Sequence, residues 1–271
     1  MLFSTIHGGL VSYRYAGVEL FTSVPKPNFW RPLTDNDVAN LLPFRAGQWK
    51  LASMYSSYKY EHGLAATDYV IEETEDHVIV RYTYHLPVKP AMDCHVAYDV
   101  YGDGEIKVTM TMAASAEVGE LPEYSMLFTM DADYNQLTWY GLGPEETYVD
   151  RCHAKLGVYH NQVADNMAKY LVPQECGNKV GVRYATITDE KGRGLLVRGD
   201  QLHFSALPYS PHEIDNATHS IELPPIHNTY IRVGLQQMGV AGDDTWGALT
   251  HPEYLIDNHQ PLTLSFSFRG I

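Results

Sequence analysis

Short segments in which apolar and polar side chains alternate recur along most of this chain. Residues 106–112 (IKVTMTM) and 262–268 (LTLSFSF) carry an apolar side chain at every second position. A period of two places these side chains on one face of a β-strand, so each segment predicts a half-buried strand. Turn-forming residues separate the segments. Further candidate strands are residues 78–84, 94–101, 182–188, 195–197, 202–207, 220–223 and 230–235.

Many short strands and little helical pattern predict an all-β fold. The best helix candidate is residues 44–55, where Phe44, Trp49, Leu51 and Met54 could share one face. No long repeat recurs, and no segment has the low complexity of a linker. We therefore predict one antiparallel unit over residues 1–271, with one or two short helices and two large sheets face to face. Two sandwich halves packed tightly together would give the same pattern.

Charge and hydropathy exclude several classes of partner. The 271 residues include 19 Lys and Arg against 33 Asp and Glu, a formal net charge of −14, without a basic run. Nucleic acids and anionic membrane surfaces attract clusters of Lys and Arg, so neither is expected as a partner. No window is apolar enough for a spanning helix, and the first residues lack the pattern of a signal peptide. We expect a cytoplasmic protein, or a piece of a longer one.

Common catalytic and metal-binding motifs are missing from the sequence. Cys94, Cys152 and Cys176 are far apart, which favours ordinary buried thiols over a disulfide or zinc site. The histidines lack the spacing that places two imidazoles on one helix face. The glycine-containing segments at 102–104 and 192–194 lack the residues of a phosphate-binding loop and predict turns. We therefore assign no catalytic residue and no metal ligand to this chain.

The first of three more informative segments is FWRPLTDND at residues 29–37. Asp35, Asn36 and Asp37 are short polar side chains that cap their own backbone amides or the start of a helix. Their oxygens would also suit a hard cation such as Mg²⁺. The capped turn is the favoured interpretation.

The second segment is WYGLGPEETYVDR at residues 139–151, where a strand ends in a turn. Glu145 and Glu146 are adjacent, so on an extended backbone their side chains point to opposite sides and cannot flank one bond. We predict a rigid corner in which Asp150 or Glu146 bonds to Arg151 or to the backbone.

The third segment is GVAGDDTW at residues 239–246, a loop after the predicted strand 230–235. Its indole, Trp246, lies beside the carboxylates of Asp243 and Asp244. A sugar ring has apolar C–H patches that stack on aromatic faces and hydroxyls that need polar partners. These three residues are our candidates for substrate binding. The alternative is that Trp246 anchors the loop in the core.

Taken together, the three segments resemble the small chain, or C-terminal domain, of family 2 bacterial β-galactosidases. The motifs occur in the family's order over nearly the whole chain, and the departures are mild: Ala241 stands for a glycine and Thr245 for a serine. The resemblance implies a β-supersandwich of the galactose-mutarotase type that packs on a TIM-barrel domain. It also implies that Trp246 reaches the galactoside site.

The resemblance implies that the catalytic glutamates lie on that barrel, in a large chain or an N-terminal region. Retaining hydrolysis needs two carboxyl groups about 5 Å apart, usually at the ends of barrel strands. This sequence shows no alternation of strands and helices that could form a barrel. The complete enzyme could use Mg²⁺ and Na⁺, but we assign no cofactor to this chain. We expect either an independent small subunit or a part of a longer β-galactosidase.

Two other functions stay open. A free-standing aldose epimerase would need a general acid and base, and His153, His203 and Glu175 have suitable chemistry. A carbohydrate-binding module would bind sugar by itself with millimolar affinity. If a barrel partner is missing, its docking surface should be exposed and apolar, which predicts self-association.

Overall fold

β-strands dominate the computed structural model, which describes residues 1–55 and 69–271. The strands are β1 Leu2–Ser4, β2 Gly9–Ser12, β3 Arg14–Tyr15, β4 Val18–Glu19, β5 Lys26–Asn28, β6 Tyr69–Glu73, β7 His77–Leu86, β8 Met92–Tyr101, β9 Ile106–Met112, β10 Glu123–Asp131, β11 Gln136–Gly143, β12 Lys155–Gln162, β13 Lys179–Thr188, β14 Gly194–Leu207, β15 Asn228–Gln237 and β16 Leu262–Gly270. The α-helices are α1 Asp35–Ala39, α2 Leu42–Tyr55 and α3 Pro211–Asn216. This composition confirms the all-β prediction.

Twelve of the described strands form one antiparallel sheet that branches at β14. Its main path runs β12-β11-β13-β14-β16-β9-β8-β7-β6. One edge of β14 is shared, because its first half pairs with β16 and its second half pairs with β15. Strand β15 continues to β10, and β10 to β5. Two small hairpins, β1-β2 and β3-β4, lie outside this sheet.

The two arms of the sheet curl over a common core. Phe128 of β10 lies 5.9 Å from Phe266 and 5.4 Å from Phe268 of β16, measured between ring centroids. Phe21 contacts both Phe128 and Phe268. Edge-to-face contacts of this kind favour aromatic packing beyond simple burial. Two β layers therefore face each other as predicted, but the prediction of two sheets is wrong, because both layers are arms of one curled sheet.

Most predicted strands lie inside observed ones, and two predictions need correction. The candidates 195–197 and 202–207 are halves of the single strand β14. The candidate 220–223 is wrong, because Ser220–Glu222 forms a 3₁₀ turn. Its Glu222 carboxylate accepts hydrogen bonds from the Thr218 and His219 backbone amides, which closes the turn.

The predicted helix at 44–55 is present as α2, but its proposed common face is wrong. Trp49 is buried, whereas Phe44 is 86% exposed and Leu51 and Met54 are also exposed. The buried face instead consists of Leu42, Ala46, Trp49, Ala52 and Ser53. These positions follow helical spacing of three to four residues, which Phe44 and Leu51 do not share with Trp49.

Two further expectations concern the cysteines, predicted to be buried thiols, and the helices, none of which was expected to span a membrane. Cys94 and Cys176 are buried free thiols as predicted, and burial raises the pKa of Cys176 to about 12. Cys152 is exposed, so the expectation of a buried thiol is wrong there. It follows the corner formed by residues 139–151, where the chain turns at the surface. None of the helices within residues 1–55 and 69–271 combines the length and apolar character needed to span a membrane.

Candidate functional site

The three sequence segments meet around one loop, residues 239–251, which we call the Trp246 loop. Arg31 lies in the first segment and is buried. Its guanidinium pairs with Asp37 at 2.8 Å and donates to the Gly239 carbonyl oxygen at 3.2 Å. One buried cation therefore joins the first segment to the start of the loop, although 208 residues separate Arg31 from Gly239.

Local capping fixes the helix that faces the loop. Thr34 is the N-cap of α1, its hydroxyl accepts from the Asp37 amide, and the Asp37 carboxylate accepts from the Thr34 amide. This reciprocal pair satisfies two backbone donors at the start of the helix. The predicted capped turn is confirmed, and Asp37 is engaged by both Thr34 and Arg31.

The second segment holds the loop from another side. The Ala241 amide donates to Asp150 Oδ2 at 2.7 Å. A Cβ atom at Gly239 would lie 2.4 Å from the same oxygen, so this close approach requires glycine. Glu146 pairs with Arg151 at 2.7 Å and accepts from the Gly177 amide at 2.8 Å. The predicted rigid corner is confirmed, and the carboxylates of Glu146 and Asp150 form structural bonds.

The tip of the loop presents Trp246 to solvent. Asp244 Oδ1 accepts from the Trp246 amide at 2.9 Å and from the Ala248 amide at 3.1 Å. Asn36 Nδ2 donates to the Asp244 carbonyl oxygen at 2.8 Å, and Asn36 Oδ1 accepts from the Gly247 amide at 3.2 Å. The Trp246 side chain is 86% exposed. The alternative that it anchors the loop in the core is therefore wrong.

Asp243 and His251 close the base of the tip. The Asp243 carboxylate is 82% exposed and lies 2.9 Å from His251 Nε2. The hydrogen bond and the negative charge of Asp243 raise the pKa of His251. Asp243 and Asp244 thus differ: Asp244 caps backbone amides, and Asp243 faces water beside a histidine.

Comparisons with known proteins bear directly on this arrangement. The sequence model of the β-galactosidase small chain matches residues 1–269. The chain belongs to the β-galactosidase small-chain family. It is 41% identical over its whole length to a β-galactosidase of Priestia megaterium, of which it spans 25%. It is 31% identical to a β-galactosidase small subunit of Latilactobacillus sakei, with 98% of this chain and 91% of that one covered. The chain therefore spans about a quarter of the length of the first of these relatives.

Similar solved structures include a galactose 1-epimerase from Lactobacillus acidophilus. It is 9% identical, covers 98% of this chain and 89% of its own, and gives a TM-score of 0.48. A putative aldose 1-epimerase from Escherichia coli gives 10% identity, 99% and 94% coverage and a TM-score of 0.47.

A buried ion cluster lies beneath the Trp246 loop. Arg232 of β15 donates to Glu123 of β10 and to Glu175, each at 2.7 Å, and all three side chains are buried. Burial opposes the charge of Arg232, but the two carboxylates raise its pKa overall. Gln237, two residues before Gly239, also donates to Glu175 at 3.3 Å. The cluster therefore joins β10 and the segment around Glu175 to the end of β15, from which the loop emerges.

The three residues considered for an epimerase do not form an open site. Glu175 and His203 are buried beside Arg232, whereas His153 is exposed. Burial, and then the charge of Arg232, lowers the pKa of His203 to about 4. A general acid and base must reach a substrate from opposite sides. The buried pair is instead tied to the amide groups of Gln237.

Long-range contacts are what sequence reasoning missed. Asn36 and Asp150 were recognised as capping or corner residues, but their bonds to the Trp246 loop span 208 and 91 residues. No local pattern encodes such separations.

Within residues 1–55 and 69–271, no group of three or more His, Cys, Asp or Glu side chains is arranged to hold a metal ion.

Proposed function

We propose that this chain forms one wall of the galactoside-binding site of a β-galactosidase through Trp246. The acid/base and nucleophilic carboxyl groups come from the rest of the enzyme, which we expect to be a TIM barrel. The observation that carries this proposal is the exposed indole held at the meeting point of the three family segments.

The chemistry around Trp246 suits a sugar. An exposed indole offers a flat apolar face for the C–H side of a galactosyl ring or its aglycone. The exposed Asp243 carboxylate can accept hydrogen bonds from sugar hydroxyls, while Asp244 holds the loop. The carboxylates of the corner, Glu146 and Asp150, already bond within the chain. This engagement supports a binding role without catalysis by this chain.

An apolar surface beside the loop supports docking to a larger portion. Gly247 packs against Ala39 of α1, and Asn40 bonds to the Ala248 carbonyl oxygen, so α1 and the loop form one surface. Its exposed apolar residues, which we call the α1–α2 apolar surface, are Val38, Leu41, Phe44, Trp246 and Leu249. Clusters of exposed apolar side chains mark interaction sites. We propose that the barrel-bearing portion covers all of them except the sugar-facing side of Trp246.

The first experiment compares the chain alone with the complete assembly. The purified chain should not hydrolyse nitrophenyl β-galactoside or lactose, and adding the barrel-bearing portion should produce hydrolysis. Turnover by the chain alone would contradict the proposal. Polarimetry on freshly dissolved galactose tests the epimerase, and we expect no acceleration. Millimolar sugar binding by the chain alone would favour a carbohydrate-binding module.

The second experiment tests Trp246 in the assembled enzyme. Trp246→Ala should weaken galactoside binding by about 1–3 kcal/mol, which corresponds to a rise in KM of roughly 5- to 150-fold. The inhibition constant of a non-hydrolysed thiogalactoside should rise in parallel. Leu171→Ala, which truncates a similarly exposed apolar side chain elsewhere, is the matched control. An unchanged KM in Trp246→Ala would remove this residue from the site.

Mg²⁺ and Na⁺ remain proposals for the complete enzyme. Chelation of Mg²⁺ and exchange of the assembled enzyme into a sodium-free buffer, followed by activity measurements with each ion restored, test them. The same barrel-bearing portion is then combined with different variants of this chain. If the dependence of activity on each ion stays the same, the ion sites lie outside this chain.

A further inference from the structure

Asn36 bonds to the backbone on both sides of Trp246. Its Nδ2 donates to the carbonyl oxygen of Asp244, and its Oδ1 accepts from the amide of Gly247. Gly247 has a positive φ of 109° and lies against the backbone of α1, so the chain turns sharply directly after the indole. One side chain therefore holds both ends of the short segment that carries Trp246.

The amide of Asn36 suits this task because it offers one donor and one acceptor in a fixed geometry. The Asp244 carbonyl oxygen can only accept, and the Gly247 amide can only donate. A carboxylate at this position would lose the donor, and alanine would lose both groups. Asparagine is short, so few rotatable bonds separate its amide group from the helix backbone.

The helix that bears Asn36 is itself well fixed. The Thr34–Asp37 capping pair defines its start, and Asp37 pairs with the buried Arg31. Arg31 in turn bonds to Gly239 at the beginning of the same loop. Asn36 is thus held by a neighbouring residue whose position is set by a buried ion pair.

Other restraints on the tip are weaker or internal to the loop. Asp244 and the Asp243–His251 pair belong to the loop itself, so they shape it without fixing it to the body. Within the described part of the chain, the other side chain from outside the loop that bonds to residues 243–248 is Asn40. Its Nδ2 lies 3.4 Å from the Ala248 carbonyl oxygen, a long hydrogen bond.

We propose that Asn36 is a positioning residue that fixes Trp246 in the orientation needed for galactoside binding. This inference rests on the proposed role of Trp246. Asn36 acts through the loop backbone and does not contact the sugar. Holding a binding group in place before the substrate arrives reduces the entropy lost on binding. Loss of the two Asn36 hydrogen bonds should therefore raise KM while leaving kcat nearly unchanged.

A double-mutant cycle in the assembled enzyme tests the inference. Asn36→Ala should raise KM by about five- to twentyfold in the wild-type background, as expected for two lost hydrogen bonds. In the Trp246→Ala background the same substitution should change KM less than about twofold, because the group that it positions is gone. Asn216→Ala, the same substitution at an exposed position of α3, is the matched control and should leave KM unchanged.

The outcomes separate this inference from the proposed function. If Trp246→Ala leaves KM unchanged, the proposed function and this inference both fail. If Trp246→Ala raises KM but Asn36→Ala does not, only the positioning role fails. The positioning role fails as well if the Asn36→Ala effect persists at full size without Trp246, since this would indicate general damage to the fold.

Time-resolved fluorescence anisotropy supplies a measurement that does not depend on activity. Trp30, Trp49 and Trp139 are fully buried, so fast local depolarisation of the tryptophan emission comes from the exposed Trp246. Asn36→Ala in the purified chain, at a concentration low enough to keep it monomeric, should increase the amplitude of nanosecond depolarisation, and Asn216→Ala should not. Equal anisotropy decays in wild type and Asn36→Ala would contradict the positioning role of Asn36.

Discussion

A buried cluster around Arg232 accounts for polar side chains on the central strands β10, β14 and β15. Glu123 of β10 pairs with Arg232 of β15; burial raises the pKa of Glu123, and the charge of Arg232 offsets only part of this rise. Arg232 Nε also donates to Ser205 at 2.8 Å. Buried charges are tolerated when they are paired with an opposite charge, and breaking such a pair commonly costs about 3–5 kcal/mol. The cluster is therefore a structural core feature beneath the loop.

The neutral imidazole of His203 should make stability depend on pH. Its folded-state pKa is about 4, below the unfolded value of about 6.5, because burial disfavours the charged form. The unfolded state then binds more protons between these values, so this contribution to stability is complete above about pH 6.5 and is lost as the pH falls toward 4. Wild type should lose about 2–3 kcal/mol more than His203→Gln between about pH 7.5 and about pH 4.5.

Urea unfolding of both proteins at several pH values measures this difference. His212, whose pKa is also lowered to about 4, is present in both proteins, so its contribution cancels. Parallel curves of unfolding free energy against pH would show that His203 does not carry the effect.

Secondary-structure elements were predictable where one face of a strand meets water. Strands β9 and β16 alternate buried and less buried positions, and both were identified from this pattern. In β10 the first eight residues are all buried, including Glu123, Ser125 and Thr129, so no alternation exists to detect. The Glu123 side chain there is satisfied by Arg232, a partner 109 residues away. Local pattern therefore could not identify β10.

The branch at β14 illustrates a second limit. The sequence predicted two strands, at 195–197 and 202–207, because the exposed residues between them interrupt the apolar pattern. In the structure one strand continues through them and changes partner from β16 to β15. Gln201 lies in this interval with a positive φ of 51°, and the pairing with β13 is irregular nearby. The two arms of the sheet therefore diverge at this interval of β14.

The positive φ of Gln201 carries backbone strain that a substitution can relieve. A residue with a side chain costs about 1–2 kcal/mol in the left-handed region, and glycine avoids most of that cost. Gln201→Gly should therefore raise the free energy of unfolding by about 0.5–1 kcal/mol, measured by urea denaturation. The neighbouring Asp200→Gly is the control, because its φ is not positive and glycine there should destabilise the strand by a similar amount. Equal effects of the two substitutions would contradict the strain at Gln201.

At the scale of the whole molecule, the fold gathers segments that are distant in sequence. Residues 29–37, 139–151 and 239–246 were each identified, and their common order indicated the family. Their convergence on Trp246 depends on how β5, β11 and β15 are arranged in the sheet, which no single segment encodes. The exposed α1–α2 apolar surface adjoins this meeting point, since Gly247 packs against Ala39 of α1. The sequence predicted an exposed apolar docking surface but not its location, because Phe44 was assigned to the same helix face as the buried Trp49.

The α1–α2 apolar surface should make the isolated chain self-associate. We expect sedimentation velocity to show an apparent mass that increases with protein concentration. The measurement is made at about 0.15 M salt, because repulsion from the net charge of −14 is then screened beyond about 8 Å. Phe44→Ser should weaken this association, because it removes an aromatic ring that is 86% exposed from the surface. Ile221→Ser, at a residue that is 91% exposed on a different segment, is the matched control and should leave it unchanged. Adding the barrel-bearing portion should abolish self-association of the wild type by covering the same surface. A chain that stays monomeric at all concentrations, or equal effects of the two substitutions, would show that this surface does not drive contacts between copies.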